Sequence, residues 1–228
     1  MCGRYTLTVT LSDIESRFAC PPSGLDWNPR YNIAPTQQTL VVVRADKVNQ
    51  LKTMKWGLVP HWAKDPKMGS RLINARLETV DEKPAFKSSL PSRRCIIPAD
   101  GYYEWQKKGR GKEPYRIIME TGDCFGFAGI WDTWTGPNAK TMDSFAVITT
   151  GAQNSIRSIH DRMPLILTPE LEEVWLKGPE DQSREAMKRF LALLHPRPQL
   201  RAYRVSPLVG SPVNDRPEYI EEIKEPEE

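Results

Sequence analysis

The 228-residue sequence has no run of about 18 apolar residues, so no helix in it is expected to cross a membrane. Its opening, MCGRYTLT, lacks the apolar stretch of a secretory leader, and a cytoplasmic, nucleoid-associated protein is the expectation. The four cysteines, at 2, 20, 95 and 124, form no CxxC or CxxH pair, and the three histidines, at 61, 160 and 195, are far apart. That spacing supplies no zinc ligand set, and in a reducing compartment it argues against disulfides. No metal or cofactor is expected. Cys95 and Cys124 read as small core residues on strands. Internal repeats and low-complexity linkers are missing too, and no composition break marks a second domain.

Proline, by contrast, is plentiful. Twenty are spread along the chain, which works against long helices and favours short strands with structured loops. Hydrophobic residues at 39 % and charged residues at 27 % place the chain with ordinary folded proteins rather than disordered ones. The last eleven residues, EYIEEIKEPEE, carry −5, and removing that from the overall +3 leaves +8 on residues 1–217. A basic body with an acidic tail over 218–228 suits a nucleic-acid binder, although charge alone equally fits an ordinary basic surface with a frayed end.

Residues 11–19 predict a short amphipathic helix capped by Thr10 or Ser12. TLVVVR (39–44) and LKTMKW (51–56) predict a hairpin with a turn around Asp46 to Gln50. Further strands are expected at 94–98, 102–106, 114–119, 125–131 and 144–150, with the basic KKGRGKE segment (107–113) as a hairpin turn. Helices are expected around 153–159, at 168–176 with Thr168 as cap and Pro169 in the first position, and at 182–194. Strands in the centre and helices outside predict a single α+β domain around a curved, mainly antiparallel, barrel-like sheet.

Cys2 is the first residue with distinctive chemistry. Trimming of Met1 would expose a 1,2-aminothiol, with an amine pKa of about 7.7–8.0 beside a thiol near about 8.5. Such a pair condenses with an aldehyde and closes a thiazolidine ring, which neither an internal cysteine nor an N-terminal serine can do. Gly3 permits close backbone approach, and Arg4 could pair with a phosphate. In NAR (74–76) an extended backbone puts Asn74 and Arg76 on one face. In PADGYYEW (98–105) Glu104 alternates with Tyr103 and Trp105. It becomes a proton shuttle if its side of the strand is enclosed, and a solvated residue if it is not. His160, in IHDRMP (159–164), is a candidate acid or base with Asp161 nearby. Trp62, Trp56 and Tyr31 lie near basic residues, as stacking platforms for single-stranded nucleic acid do, and also as core aromatics do.

Taken in order, MCGRYTL, PRYNIAPTQ, WGLVPHWA, INARLETV, RCIIPADGYYEW, FGFAGIW, VITT and IHDRMPLIL resemble the SOS response-associated peptidase (SRAP) domain family from Cys2 to about Val213. The resemblance implies a β-rich single domain with a positively charged groove. It also implies a protein, monomeric and without a cofactor, that shields abasic sites in single-stranded DNA, including those at junctions with duplex. On this pattern Cys2 would form a thiazolidine cross-link to the ring-opened sugar, and Asn74 would orient the sugar or the N-terminal residue. Glu104 would move protons at the amine and imine, and His160 would help open the deoxyribose. Arg4 and Arg76 would hold flanking phosphates, and Trp62 would stack at the duplex junction. An N-terminal-nucleophile amidohydrolase, a cysteine peptidase using Cys2, and a non-covalent single-strand binder are the competing readings. Self-processing of the N-terminus accommodates the peptidase name.

Overall fold

The computed structural model describes residues 2–224, Asn138 by its backbone alone. Met1 and residues 225–228, on which the expected N-terminal trimming and the end of the acidic tail fall, lie outside the described residues. Along the chain come β1 (Tyr5–Leu7), α1 (Leu11–Arg17), β2 (Arg30–Ile33), β3 (Gln38–Ala45), β4 (Val48–Trp56), β5 (Asn74–Arg76), β6 (Arg94–Ala99), β7 (Gly101–Lys108) and β8 (Gly111–Met119). There follow β9 (Phe125–Thr135), β10 (Thr141–Gly151), α2 (Asn154–Arg157), β11 (Arg162–Pro164), β12 (Ile166–Leu167), α3 (Pro169–Lys177), α4 (Arg184–Ala192) and β13 (Leu200–Arg204).

Five strands close a barrel. β3 pairs with β4 and β6, β6 with β9, and β9 with β10. β10 completes the ring against β4, and this one pairing is parallel. The β-branched run Val41–Val43 is buried on both faces of β3 because the barrel interior takes one face and neighbouring elements cover the other. On that outside, α3 buries Trp175, whose indole N–H donates to the Cys95 carbonyl at 2.8 Å. This is the α+β, barrel-cored single domain expected from the strand pattern.

A second sheet, in the order β13-β8-β7-β1-β2, leans on the barrel. Tyr5 of β1 packs edge-on against Trp56 and Phe127, with ring centroids at 5.2 and 5.8 Å, and Tyr102 of β7 meets Phe127 at 6.0 Å. The Tyr5 hydroxyl donates to Thr39 Oγ1 at 2.8 Å, so its one polar atom is satisfied inside the core. The N-terminal strand, paired between β7 and β2 in this sheet, thereby anchors the sheet on the barrel.

Local signals held with shifts of a few residues. Thr10 and Asp13 form a capping box on α1, and Thr168 and Ser183 cap α3 and α4. The β3–β4 turn is tighter than the expected Asp46 to Gln50 segment. Only Asp46 (φ 50°) and Lys47 (φ 66°) are left unpaired, both left-handed as a twisted two-residue hairpin requires. Cys95 lies on β6 as expected, whereas Cys124 is half-buried and precedes β9. β13, unmarked by any apolar alternation in LRAYR, owes its strand form to its antiparallel pairing with β8.

The first part of the acidic tail folds back. Tyr219 and Ile220 pack on a small cluster of Tyr103, Tyr203, Val205 and Val209, and Ile223 N donates to Arg204 O at 2.9 Å.

Candidate functional site

Cys2, three residues ahead of β1, is fully buried. Its position is set from two sides. Asn74 Nδ2, on β5, donates to the Cys2 carbonyl at 2.7 Å, and β5 is held by parallel pairing of Asn74 with Val147 on β10. From the other side, Tyr103 N donates to Arg4 O at 2.9 Å and Asp100 N to Thr6 O at 3.0 Å. Beneath β1 the buried Asp100 carboxylate accepts from Thr8 N (2.7 Å), from the Thr6 hydroxyl and from Arg116 Nη2 (3.1 Å). A Cβ on Gly101 would lie 2.7 Å from Arg116 Nε and 2.9 Å from Thr6 Oγ1, so only glycine leaves room for this hub. Sequence reasoning missed it, since its members come from three separated strands.

β7 alternates as a strand must. Tyr103 and Trp105 face the small cluster with Tyr203 and Val209, while Tyr102 and Glu104 face the Cys2 side. Glu104 retains only 3 % exposure. Burial raises its carboxyl above the ordinary range, with His160 among the positive groups that oppose the rise. Burial likewise pushes the Cys2 thiol well up, and the Glu104 charge adds to it. Asn74 Oδ1 and the Tyr102 hydroxyl are buried without a hydrogen-bond partner among the described residues, so the pocket has polar capacity to spare.

His160 closes the outer side. The short helix α2 carries the chain to it, and Gln106 Nε2 on β7 donates to Ser158 O at 3.0 Å, tying that loop to the strand bearing Glu104. Nε2 of His160 stands 4.0 Å from Glu104 Oε2. Nδ1 accepts from Arg162 N at 3.0 Å and lies 3.0 Å from Asp161 Oδ1. These two neighbours ask opposite things of Nδ1. The buried-side backbone N–H requires an acceptor, which leaves the neutral ring's hydrogen on Nε2, facing Glu104. The carboxylate of the largely exposed Asp161, and the Arg162 carbonyl 3.2 Å from Nδ1, gain a partner when Nδ1 carries a hydrogen, in the other neutral tautomer or in the protonated ring. A depression lined by Glu104, Trp105, Lys112, His160 and Gly210 opens over the pair.

The expected phosphate-binding and stacking residues are placed differently from one another. Arg76 is exposed at the end of β5, two residues past Asn74 and on the same face. Trp62 is 47 % exposed on the loop after β4. Arg4 is half-buried, with Nη1 donating to Asn32 Oδ1 (2.9 Å) and Val209 O (2.8 Å) and Nη2 reaching Gly210 O at 3.4 Å. Its guanidinium therefore braces the C-terminal segment. Arg162 was passed over as a site residue in the sequence. It makes a two-pronged pair with Glu78 at 2.7 and 2.9 Å and reaches Thr149 O at 2.7 Å. That pairing holds Glu78 below the usual carboxylate range. Its place two residues after His160 was the available signal.

Cys2, Asn74, Glu104 and His160 thus converge on one pocket, from the segment before β1, from β5, from β7 and from the loop after α2. A family model described as SOS response associated peptidase (SRAP) matches residues 1–212. The chain belongs to this family. It is 42 % identical to the abasic site processing protein YoqW of Bacillus subtilis, over 97 % of this chain and 99 % of that one. It is 32 % identical to the abasic site processing protein HMCES of Xenopus tropicalis, over 96 % of this chain and 77 % of that one. A crystal structure of a Bacteroides thetaiotaomicron protein superposes with a TM-score of 0.84 at 26 % identity, covering 98 % of this chain and all of that one. Membership in the SRAP family accounts for the order of motifs from MCGRYTL to IHDRMPLIL. Among the described residues no helix is long and apolar enough to cross a membrane.

Proposed function

We propose that this SRAP protein recognises abasic sites in single-stranded DNA and captures them covalently through Cys2. The observation that carries the reading is the junction of Cys2 with a buried carboxyl and a histidine, Glu104 and His160, under an open depression. The relatives named as abasic site processing proteins support the same substrate.

Removal of Met1 converts the Cys2 nitrogen from a peptide nitrogen to an amine. The closed sugar at an abasic site exposes its aldehyde when a proton is taken from its hydroxyl and one is given to its ring oxygen. His160, at the mouth of the pocket, is placed for that exchange. The amine adds to the aldehyde carbon, and water leaves as the imine forms. The sulfur then bonds to the imine carbon, and the thiol proton ends on the nitrogen, closing a thiazolidine. Burial disfavours the Cys2 thiolate, and a sulfur that enters second as the thiol brings its own proton. Glu104, whose carboxyl is also raised, can protonate the departing hydroxyl and later take a proton from nitrogen. Asn74 holds the Cys2 carbonyl so that nitrogen and sulfur face the same carbon. Arg76, exposed two residues past Asn74, would hold a flanking phosphate.

The same residues account for self-processing. Excision of the residue ahead of Cys2 is the peptidase step, and a Glu104→Gln variant should retain Met1 more than the wild type, read by intact mass. For the capture itself, an oligonucleotide with one abasic site is mixed with the protein and run on a denaturing gel. A shifted band that needs both Cys2 and the lesion is expected. A shifted band of equal intensity with Cys2→Ala would overturn the reading.

A further inference from the structure

Among the described residues four tyrosines are buried, Tyr5, Tyr102, Tyr103 and Tyr203. Three of them have their hydroxyls satisfied. Tyr5 donates to Thr39 Oγ1 at 2.8 Å and Tyr103 to Tyr31 O at 2.7 Å. Tyr203 donates to Ile220 O at 3.1 Å and accepts from Arg116 Nη1 at 2.7 Å. Tyr102 is the exception: it has no solvent exposure, and its hydroxyl has no hydrogen-bond partner among the described residues. A buried hydroxyl left unpaired is destabilising, and phenylalanine would fill the same space without that loss.

The fold puts this hydroxyl beside the reacting residues. Tyr102 sits opposite Tyr5 in the antiparallel pairing of β7 with β1, and its ring is held edge-on to Phe127 at 6.0 Å. Two residues on, Glu104 shares its face of β7. Burial lifts the phenol well above its ordinary range, and the charges of Cys2 and Glu104 add to the rise. Tyr102 is therefore a neutral donor that keeps its hydrogen. Asn74 directs Nδ2 at the Cys2 carbonyl, and its own unpartnered atom, Oδ1, can only accept. Glu104 and His160 are the groups that exchange protons in the proposed reaction. A fixed donor that gives up no proton is what Tyr102 adds to them.

We infer that Tyr102 is a further catalytic residue, whose hydroxyl donates a hydrogen bond to the oxygen on the carbon that Cys2 attacks. As the amine nitrogen bonds to the aldehyde carbon, the second electron pair of the C=O bond moves onto oxygen, where negative charge gathers. A donor held in place beforehand, in a site closed to water, stabilises that charge without reorganising. The oxygen then takes the proton that nitrogen releases. With a second proton, from Glu104, it leaves as water, and the phenol ends the step unchanged. The inference rests on the capture reading of the proposed function.

Tyr102→Phe removes one oxygen atom and leaves the ring against Phe127. With Met1 removal confirmed by intact mass, the variant should cross-link an abasic strand about 100-fold more slowly at saturating DNA. Its melting temperature should equal or exceed that of the wild type, because the unpaired hydroxyl is gone. The two signs separate catalysis from packing, since loss of a packing role would lower both. A cross-linking rate within about twofold of the wild type would overturn the inference.

A second measurement leaves out the covalent step. Fluorescence anisotropy compares a strand carrying a borohydride-reduced abasic site, whose opened sugar has a hydroxyl on the former aldehyde carbon, with one carrying a propyl spacer that has none. Neither strand can cross-link. The wild type should bind the reduced site roughly fivefold more tightly than the spacer, and Tyr102→Phe should lose that margin. An equal margin in both proteins, or none in the wild type, would overturn the inference. Absence of cross-linking by the wild type would count against the capture reading alone, with the margin between the two strands still deciding the role of Tyr102.

Discussion

Cys2 and Glu104 are two acids kept toward their neutral forms by the same burial. Neutral forms suit a reaction in which protons must travel with the bonds that form. Replacing Glu104 with Gln removes the exchangeable proton and should slow cross-linking about 100-fold, measured as the rate of band formation on a denaturing gel. Stability should move differently. A carboxyl whose pKa is raised on folding contributes most below its ordinary pKa, and the contribution fades as pH rises through the folded value. Urea unfolding of the wild type should therefore lose stability across that window, while Glu104→Gln stays flat there and is at least as stable at pH 7. A steeper decline in the variant would contradict the account. Asn74→Ala removes the bond to the Cys2 carbonyl and should slow capture about tenfold, the equivalent of about 1.4 kcal/mol, with Met1 removal confirmed by intact mass. Cys2, Asn74, Glu104 and His160, which the structure brings to one pocket, could be singled out in the sequence because each sits in a distinctive short motif. Asp100 could not, because what makes it a hub is which distant strands meet it.

Single elements carry their own tests. Arg94, at the start of β6, is 6 % exposed and bonds only carbonyls, among them Trp175 O at 2.7 Å, Leu90 O at 2.6 Å and Lys177 O at 3.0 Å. It fastens the end of α3 to the barrel, and without a carboxylate beside it burial lowers its pKa to about 10. Arg94→Ala should cost about 3 kcal/mol, since several buried carbonyls lose their donor at once. Chemical denaturation reads this directly, and a loss under about 1 kcal/mol would show that the carbonyls find other partners. Strands and helices were visible in the sequence wherever periodicity and caps agreed, as in β3 and α3. β13 was invisible, since LRAYR has no clean apolar alternation and its strand form depends on its neighbour β8.

For the whole molecule, the barrel closes through a parallel contact between β4 and β10 that local patterning cannot reveal, because the partners are about 90 residues apart in the chain. The C-terminal segment is likewise integral. Asn32 donates to the carbonyls of Val209, Ser211 and Asn214, Asp215 pairs with Arg30, and Arg4 is braced against residues 209 and 210. Truncation after Pro212 removes the Asn214 and Asp215 contacts and the Tyr219–Ile220 packing; it should therefore destabilise the protein by about 3 kcal/mol and slow capture, because Gly210, which lines the depression over Glu104, loses that anchorage. Thermal melting together with the gel assay checks both effects. A truncated chain with wild-type melting and capture would show that the segment is an appendage. The acidic run of the sequence reads as a tail apart from the domain. Its Tyr219 and Ile220, which seat it in the fold, were too few to stand out among the glutamates.

The central claim is a ring formed by the nitrogen and sulfur of one residue. The most direct measurement is intact mass spectrometry of the protein after incubation with an abasic-site oligonucleotide, without a reducing trap, followed by peptide mapping of the adduct. The account predicts the mass of the Met1-free protein plus oligonucleotide less one water, with the added mass on Cys2 and its thiol no longer alkylatable. An adduct on any other residue, or one on Cys2 whose thiol still reacts, would contradict it.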